Sequence, residues 1–178
     1  MNSGIPKPLA PIQGPDLAVA DARVLLLEYL DWYRAALVRK LDGLSEDQGL
    51  TPLAPMGWAP AGLVKHLAGV ERRWLRWGFT AEKVEWPWPP GGVAAEWALE
   101  PGETLAGLLA TWRDAVRRSD EIIGAAELHR RAQVGGRFRE PERAPSLARI
   151  LFHLVQEYAR HIGQLDIVRE LIDGRRGE

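Results

Sequence analysis

Apolar residues return every three or four positions in four long stretches of this chain, and segments rich in Pro and Gly separate those stretches. The first runs from about Leu17 to Leu44. Leu26, Leu30, Tyr33, Leu37 and Leu41 make its stripe, and Gly43 stands near its end. Ser45 to Gln48 follows as a short turn whose Ser-x-x-Gln spacing matches a capping box. The second stretch, from about Pro60 to Gly78, opens with a proline suited to a first helical position and carries Leu63, Leu67, Val70, Trp74 and Trp77. The third, near Thr104 to Gly124, carries Leu105, Leu108, Leu109, Trp112, Val116 and Ile123. The fourth starts with Ser146 as N-cap and ends before Gly174.

About 25 residues separate the second stretch from the third, a length usually found in functional or mobile loops. They include Trp86-Pro-Trp-Pro-Pro-Gly-Gly, which suits neither a helix nor an inner strand. A second loop, Val134 to Pro145, is rich in Gly, Arg and Pro. Only a few residues around Val134 offer the alternation of a half-buried strand. Four amphipathic helices must bury their stripes against one another, and the simplest solution is an all-α four-helix bundle. The long loop between helices two and three leaves room for a crossover in place of a strict up-down order.

At 178 residues the chain fits one domain spanning 1–178, large enough to bury roughly 70% of the surface of its unfolded form. Residues 1–15 form an irregular N-terminal segment broken by Pro6, Pro8, Pro11 and Pro15, with no apolar run of the signal-peptide kind. No stretch has the length of a membrane span. The chain has no cysteine, which excludes disulfides, thiolate metal ligands and a cysteine nucleophile. Lys and Arg number 23 against 24 Asp and Glu, a balance without the basic footprint of nucleic-acid or membrane-surface binding. The expected location is cytoplasmic. Trp74, Trp77, Trp86, Trp88 and Trp97 lie close together in sequence; core and loop packing is one account, a ligand pocket wall the other.

The fourth helix carries polar residues where its apolar seam should continue. Leu147, Leu151, Leu154 and Tyr158 lead to His161, then Leu165, Val168 and Ile172. A four-residue step turns a helix about 40° past a full circle. Glu157 therefore lies beside His161 on the flank of the seam, and His153 lies farther out. On the second helix His66 sits beside Leu63, Leu67 and Val70. A carboxylate facing a bundle interior is costly unless it is paired or binds a cation. Two imidazoles and a carboxylate converging from two helices suit a metal. The competing account is a hydrogen-bonded polar core in which Glu157 pairs with Arg160, Arg72 or Arg73.

Gly62-Leu-Val-Lys-His66-Leu-Ala-Gly-Val-Glu-Arg72, His153-Leu-Val-Gln-Glu157-Tyr-Ala-Arg-His161-Ile-Gly-Gln164 and Leu27-Glu-Tyr-Leu-Asp-Trp-Tyr33 together resemble the DinB-like superfamily. The resemblance covers nearly the whole chain and is closer to the branch related to mycothiol-dependent maleylpyruvate isomerase and thiol S-transferases. It implies a four-helix bundle with one divalent metal ion held by His66, Glu157 and His161. Glu157 stands where many members have a histidine. His153 is then a residue behind the ligands, or a substitute ligand.

Such a His₂Glu set leaves a coordination position open, as catalytic zinc sites do, and also suits nickel or iron. The family analogy implies a thiol of the mycothiol or bacillithiol type as co-substrate, attacking a small electrophilic substrate in a transferase or isomerase reaction. Arg72, Arg73 and Arg160 are near the ligands in sequence and suit a substrate carboxylate, or are paired surface charges. Trp58 and the segment from Trp86 to Trp88 would close the pocket mouth or serve as packing. Two other functions compete: metal-assisted hydrolysis, which lacks an evident general base and the His-Glu-x-x-His motif, and a non-catalytic homodimer with a structural or vestigial metal site.

Overall fold

A computed structural model describes residues 13–85 and 88–176, apart from the side chains of residues 93 and 94. The first twelve residues of the expected irregular segment, and Trp86, lie outside that description. The architecture is all-α. Helix α1 is Ala22–Leu41, α2 the short Glu46–Leu50, α3 Pro60–Glu71, α4 Leu105–Gly124 and α5 Leu147–Asp173. Among the described residues there is no strand. The isolated bridges Leu53–Trp58 and Arg131–Ser146 are the pairings present, and Val134 is exposed loop.

Local chemistry explains most of the ends. Pro60 opens α3, Thr104 Oγ1 accepts from the Gly107 amide at α4, and Ser146 Oγ accepts from Arg149 at α5. Gly174 closes α5 with φ 75°, a left-handed conformation that glycine adopts without strain. Ser45 and Gln48 form the expected capping box on α2, with bonds of 3.1 and 2.9 Å. Helix α1 starts five residues later than its pattern suggested. Asp16 takes the Ala18 amide in a turn, Leu17 is left exposed, and Asp21 caps the helix through the Val24 amide.

The second stretch also departs from its pattern. After Glu71 the chain widens into a π-helical segment, Arg72–Phe79. A π turn takes in one extra residue and so advances the face that follows. The buried apolar side chains there are Leu75 and Phe79, beside Arg73 and Gly78, while the expected Trp74 and Trp77 are only half-buried.

Long-range contacts fix the helix directions. Arg169, near the end of α5, donates to the carbonyls of Lys40 and Asp42 at the end of α1 (2.6 and 2.8 Å), so these helices run parallel. Arg23, at the start of α1, donates to Ile123 and Ala126 at the end of α4, so that pair is antiparallel. His66 meets His161 while Trp74 meets His153, which makes α3 antiparallel to α5. Lys65 bonds Glu103 before α4, and Arg118 meets Glu82 beyond the π segment, so α3 and α4 point the same way. The order is up-down-down-up, and the long connection after Phe79 is a crossover back along the bundle. Part of that connection is the 3₁₀ segment Gly92–Trp97, which packs on α3.

The core is built from Leu30 and Leu37 of α1, Leu63 and Leu67 of α3, Leu108 and Trp112 of α4, and Leu147, Leu151, Leu154 and Leu165 of α5. One buried polar layer crosses it. Arg34 donates twice to Glu71 Oε1 (3.0 and 2.8 Å) and once to Asp120 (2.8 Å). The Tyr158 hydroxyl donates to the same Glu71 oxygen and accepts from Trp112 Nε1, each at 2.8 Å. All four long helices contribute. Burial pulls the Arg34 guanidinium down, but Glu71, Tyr158 and Asp120 outweigh it and hold Arg34 above its ordinary value. No helix among the described residues is long and apolar enough to cross a membrane.

Candidate metal centre

Helix α5 presents His153, Glu157 and His161 along one row, because residues four apart stack on a helix face. Antiparallel α3 brings His66 opposite them. His161 Nε2 lies 3.3 Å and His66 Nε2 3.7 Å from the same oxygen, Glu157 Oε2. One ligand atom from each of the three residues falls within 4.8 Å of the other two. Ligands about 2.0–2.1 Å from a tetrahedral zinc lie roughly 3.3 Å from one another; the two spacings to Glu157 Oε2 are near that value, within a set that extends to 4.8 Å.

The outer nitrogens are already engaged. His66 Nδ1 contacts Glu96 Oε2 at 3.0 Å, and His161 Nδ1 contacts Gln164 Oε1 at 2.8 Å. Each acceptor oxygen favours the proton on Nδ1 and leaves the Nε2 lone pair facing Glu157. His66 Nε2 is buried and has no hydrogen-bond partner, since 3.7 Å is too long for one. An orphaned ring nitrogen beside a carboxylate fits a cation better than it fits a finished hydrogen-bond network.

Charges in the site are strongly coupled. His153, His161 and His66 hold the Glu157 carboxyl far below the usual carboxylate range, against the upward push of burial. Burial pulls His66 down, yet contacts with Glu157 and Glu96 outweigh it and leave His66 above its ordinary value. Glu96 also pairs with Arg73 Nη1, so a chain of groups runs from Arg73 through Glu96 to His66.

His153 stays outside the donor set. Its Nε2 contacts the other oxygen, Glu157 Oε1, at 3.1 Å, and Trp74 packs against its ring with centroids 4.1 Å apart. Arg160 is exposed and Arg73 pairs with Glu96, while His66, His153 and His161 approach the Glu157 carboxylate. Trp97 forms a wall, stacked on His66 at 4.6 Å and edge-on to His161 at 5.1 Å. Trp58 stands behind Trp97, and Trp88 lies over Arg73.

Glu96 is absent from the sequence-based reading, whereas Trp97 stands in it among the tryptophans suited to packing or to a pocket wall, and the structure makes it a wall of the site. Both sit in the connection between α3 and α4, where no periodicity marks them. A close approach places them. A side-chain carbon at Gly62 would lie 2.4 Å from the Trp97 carbonyl oxygen, so only glycine lets this segment settle on α3. The one available signal was a carboxylate beside a tryptophan in a loop of unusual length.

A protein-family model described as Mycothiol-S-transferase matches residues 25–174, which include every residue of the centre. No curated protein matches the chain.

Proposed function

Because this chain belongs to the mycothiol-S-transferase family, we propose that it transfers a low-molecular-weight thiol to a small electrophile with one divalent metal ion held by His66, Glu157 and His161. The carrying observation is the buried, unpartnered His66 Nε2 facing Glu157 Oε2, with His161 Nε2 converging on the same oxygen. Zinc leads as the ion, with nickel and iron also suited to two imidazoles and a carboxylate. Mycothiol leads as the thiol, with bacillithiol as the related choice.

When bound, such an ion would supply the Lewis acidity that keeps a thiol ionised at neutral pH. The protein's own groups do the rest. Glu96 and Gln164 orient the two imidazoles, and His153 restrains Glu157 Oε1 so that Oε2 stays inward. Trp97 closes one side of the centre against water. In the transfer an S–C bond forms, the thiol proton is released, and the leaving group departs with its bonding electron pair.

The test combines elemental analysis with turnover. Protein purified without an affinity tag is expected to carry near-stoichiometric metal that is lost in His161→Ala and Glu157→Ala. Metal-loaded protein is expected to conjugate 1-chloro-2,4-dinitrobenzene with mycothiol or bacillithiol, and the two variants to fall at least 100-fold. Bound metal without turnover across these thiols and glutathione would set aside the transferase reading.

A further inference from the structure

The loop after α4 delivers an arginine to the rim of this centre. Arg137 lies with its guanidinium carbon 4.1 Å from the Trp74 ring and 5.7 Å from the Trp88 ring. Trp74 packs on His153, which contacts Glu157, and Trp88 lies 4.3 Å from Arg73, which holds Glu96. Two routes of contact therefore tie Arg137 to the donor set, both through indoles. His153 and Glu157 are the less covered residues of the centre, at 17% and 18% of their side-chain surface, and Trp74 stands between His153 and Arg137.

The loop is clipped in place by its backbone. The Arg137 amide donates to Trp77 (3.2 Å) and the Gln133 amide to Phe79 (2.9 Å). A side-chain carbon on Gly136 would meet the Trp77 oxygen at 2.1 Å, so this approach also requires glycine. Arg137 is held there with no anion bonded to it, the nearby charge of Glu96 being paired with Arg73. Among the described residues its guanidinium forms no hydrogen bond or ion pair, and its Nη1 is buried without a partner. Arg73, by contrast, has Glu96.

A guanidinium that is partly desolvated against two indoles, with donors unspent, is suited to a planar carboxylate, which it can bind through two parallel bonds. We propose that Arg137 is the specificity residue of the site and binds a substrate carboxylate, with Trp74 and Trp88 packing on the attached carbon skeleton. This deepens the transferase reading and rests on it for the identity of the substrate. Arg72, Arg73 and Arg160, the arginines suggested by sequence proximity, give way to one from a distant loop.

Binding is measured without any thiol, so the result does not depend on turnover. Benzoate and benzamide, matched in shape and different in charge, are titrated calorimetrically into wild type, Arg137→Met and Arg137→Lys, each with metal and after chelation. Wild type is expected to prefer benzoate at least tenfold, with or without metal. Arg137→Met should lose that preference while its benzamide affinity and circular dichroism stay unchanged, and Arg137→Lys should keep part of it. Equal benzoate affinity in wild type and Arg137→Met overturns the proposal, as does benzoate binding that disappears with the metal alone. In a kinetic arm, KM rising in Arg137→Met for a carboxylated electrophile places the carboxylate there. KM rising only for a carboxylated thiol places it on the thiol, and no rise in either overturns the assignment.

Discussion

Glu96 and His66 meet at 3.0 Å, carboxylate oxygen to ring Nδ1, although they come from different elements and Glu96 is a loop residue. The contact turns the free nitrogen of a core histidine toward the α5 carboxylate. Arg73 pairs with Glu96 from the far side and holds that carboxylate in place. The orientation of His66 thus depends on Glu96 and, behind it, Arg73.

Glu96→Gln is expected to weaken metal binding by roughly 10–100-fold, the usual effect of removing an outer partner of a ligating histidine. Competition with a chromophoric chelator measures it. His153→Ala, which removes a contact to Glu157 Oε1 but no proposed ligand, should retain stoichiometric metal. Loss of metal from His153→Ala comparable to that in Glu157→Ala would make His153 a ligand.

Gly62→Ala should displace the Gly92–Trp97 segment, because the added carbon has no room beside the Trp97 carbonyl. Overpacking of this kind costs about 1–3 kcal/mol. At about 2–4 °C per kcal/mol for a chain of this size, thermal unfolding should fall by several degrees. Metal affinity should fall as well, since Glu96 and Trp97 ride on the same segment. A stability loss with unchanged affinity would mean that the segment does not position His66.

Arg34→Met leaves Glu71 buried beside Tyr158 without its cation. Breaking one side of a buried pair costs about 3–5 kcal/mol, so urea unfolding should shift by that amount. Pairing it with Glu71→Gln should restore part of the loss, because no uncompensated charge then remains. If the double variant is as unstable as the sum of the singles, the two residues are not coupled.

Acid sensitivity has a defined source at the end of α5. Burial pushes the Asp173 carboxyl up, but Arg169 and the Arg175 amide hold it below its ordinary value. A carboxyl lowered in the folded state adds stability above its unfolded value, near about pH 4, and loses it as pH falls through the folded value. Asp173→Asn should therefore be less stable than wild type at neutral pH. The gap should narrow as pH falls below about 4, in urea midpoints taken at successive pH values. A gap independent of pH would remove this carboxylate from the acid response.

Several features were legible in the residues alone. The four helical stretches, the Ser45 and Ser146 caps and the Gly174 stop depend on neighbours within about one helical turn, and the structure has them close to where the pattern placed them, apart from the late start of α1 and the turn after Glu71. The row of Glu157 and His161 follows from the same local geometry. His66 was visible as a histidine on an apolar face, and the family motifs joined it to the other two. Trp74 and Trp77 fall outside the fully buried face because a π turn, which no propensity announces, advances the face by one residue, although Trp74 still packs against the core.

Local periodicity thus determined which segments are helices, which face they bury outside the π-helical turn, and that Glu157 and His161 lie together on α5, because each depends on contacts close in sequence. The crossover that makes α3 and α4 parallel, the meeting of His66 with Glu157, and the placement of Glu96 and Arg137 belonged to tertiary structure alone. Loop residues have no repeating geometry to mark their direction. They reach the centre only because Gly62 and Gly136 let two separate backbones close onto a helix already packed in the bundle.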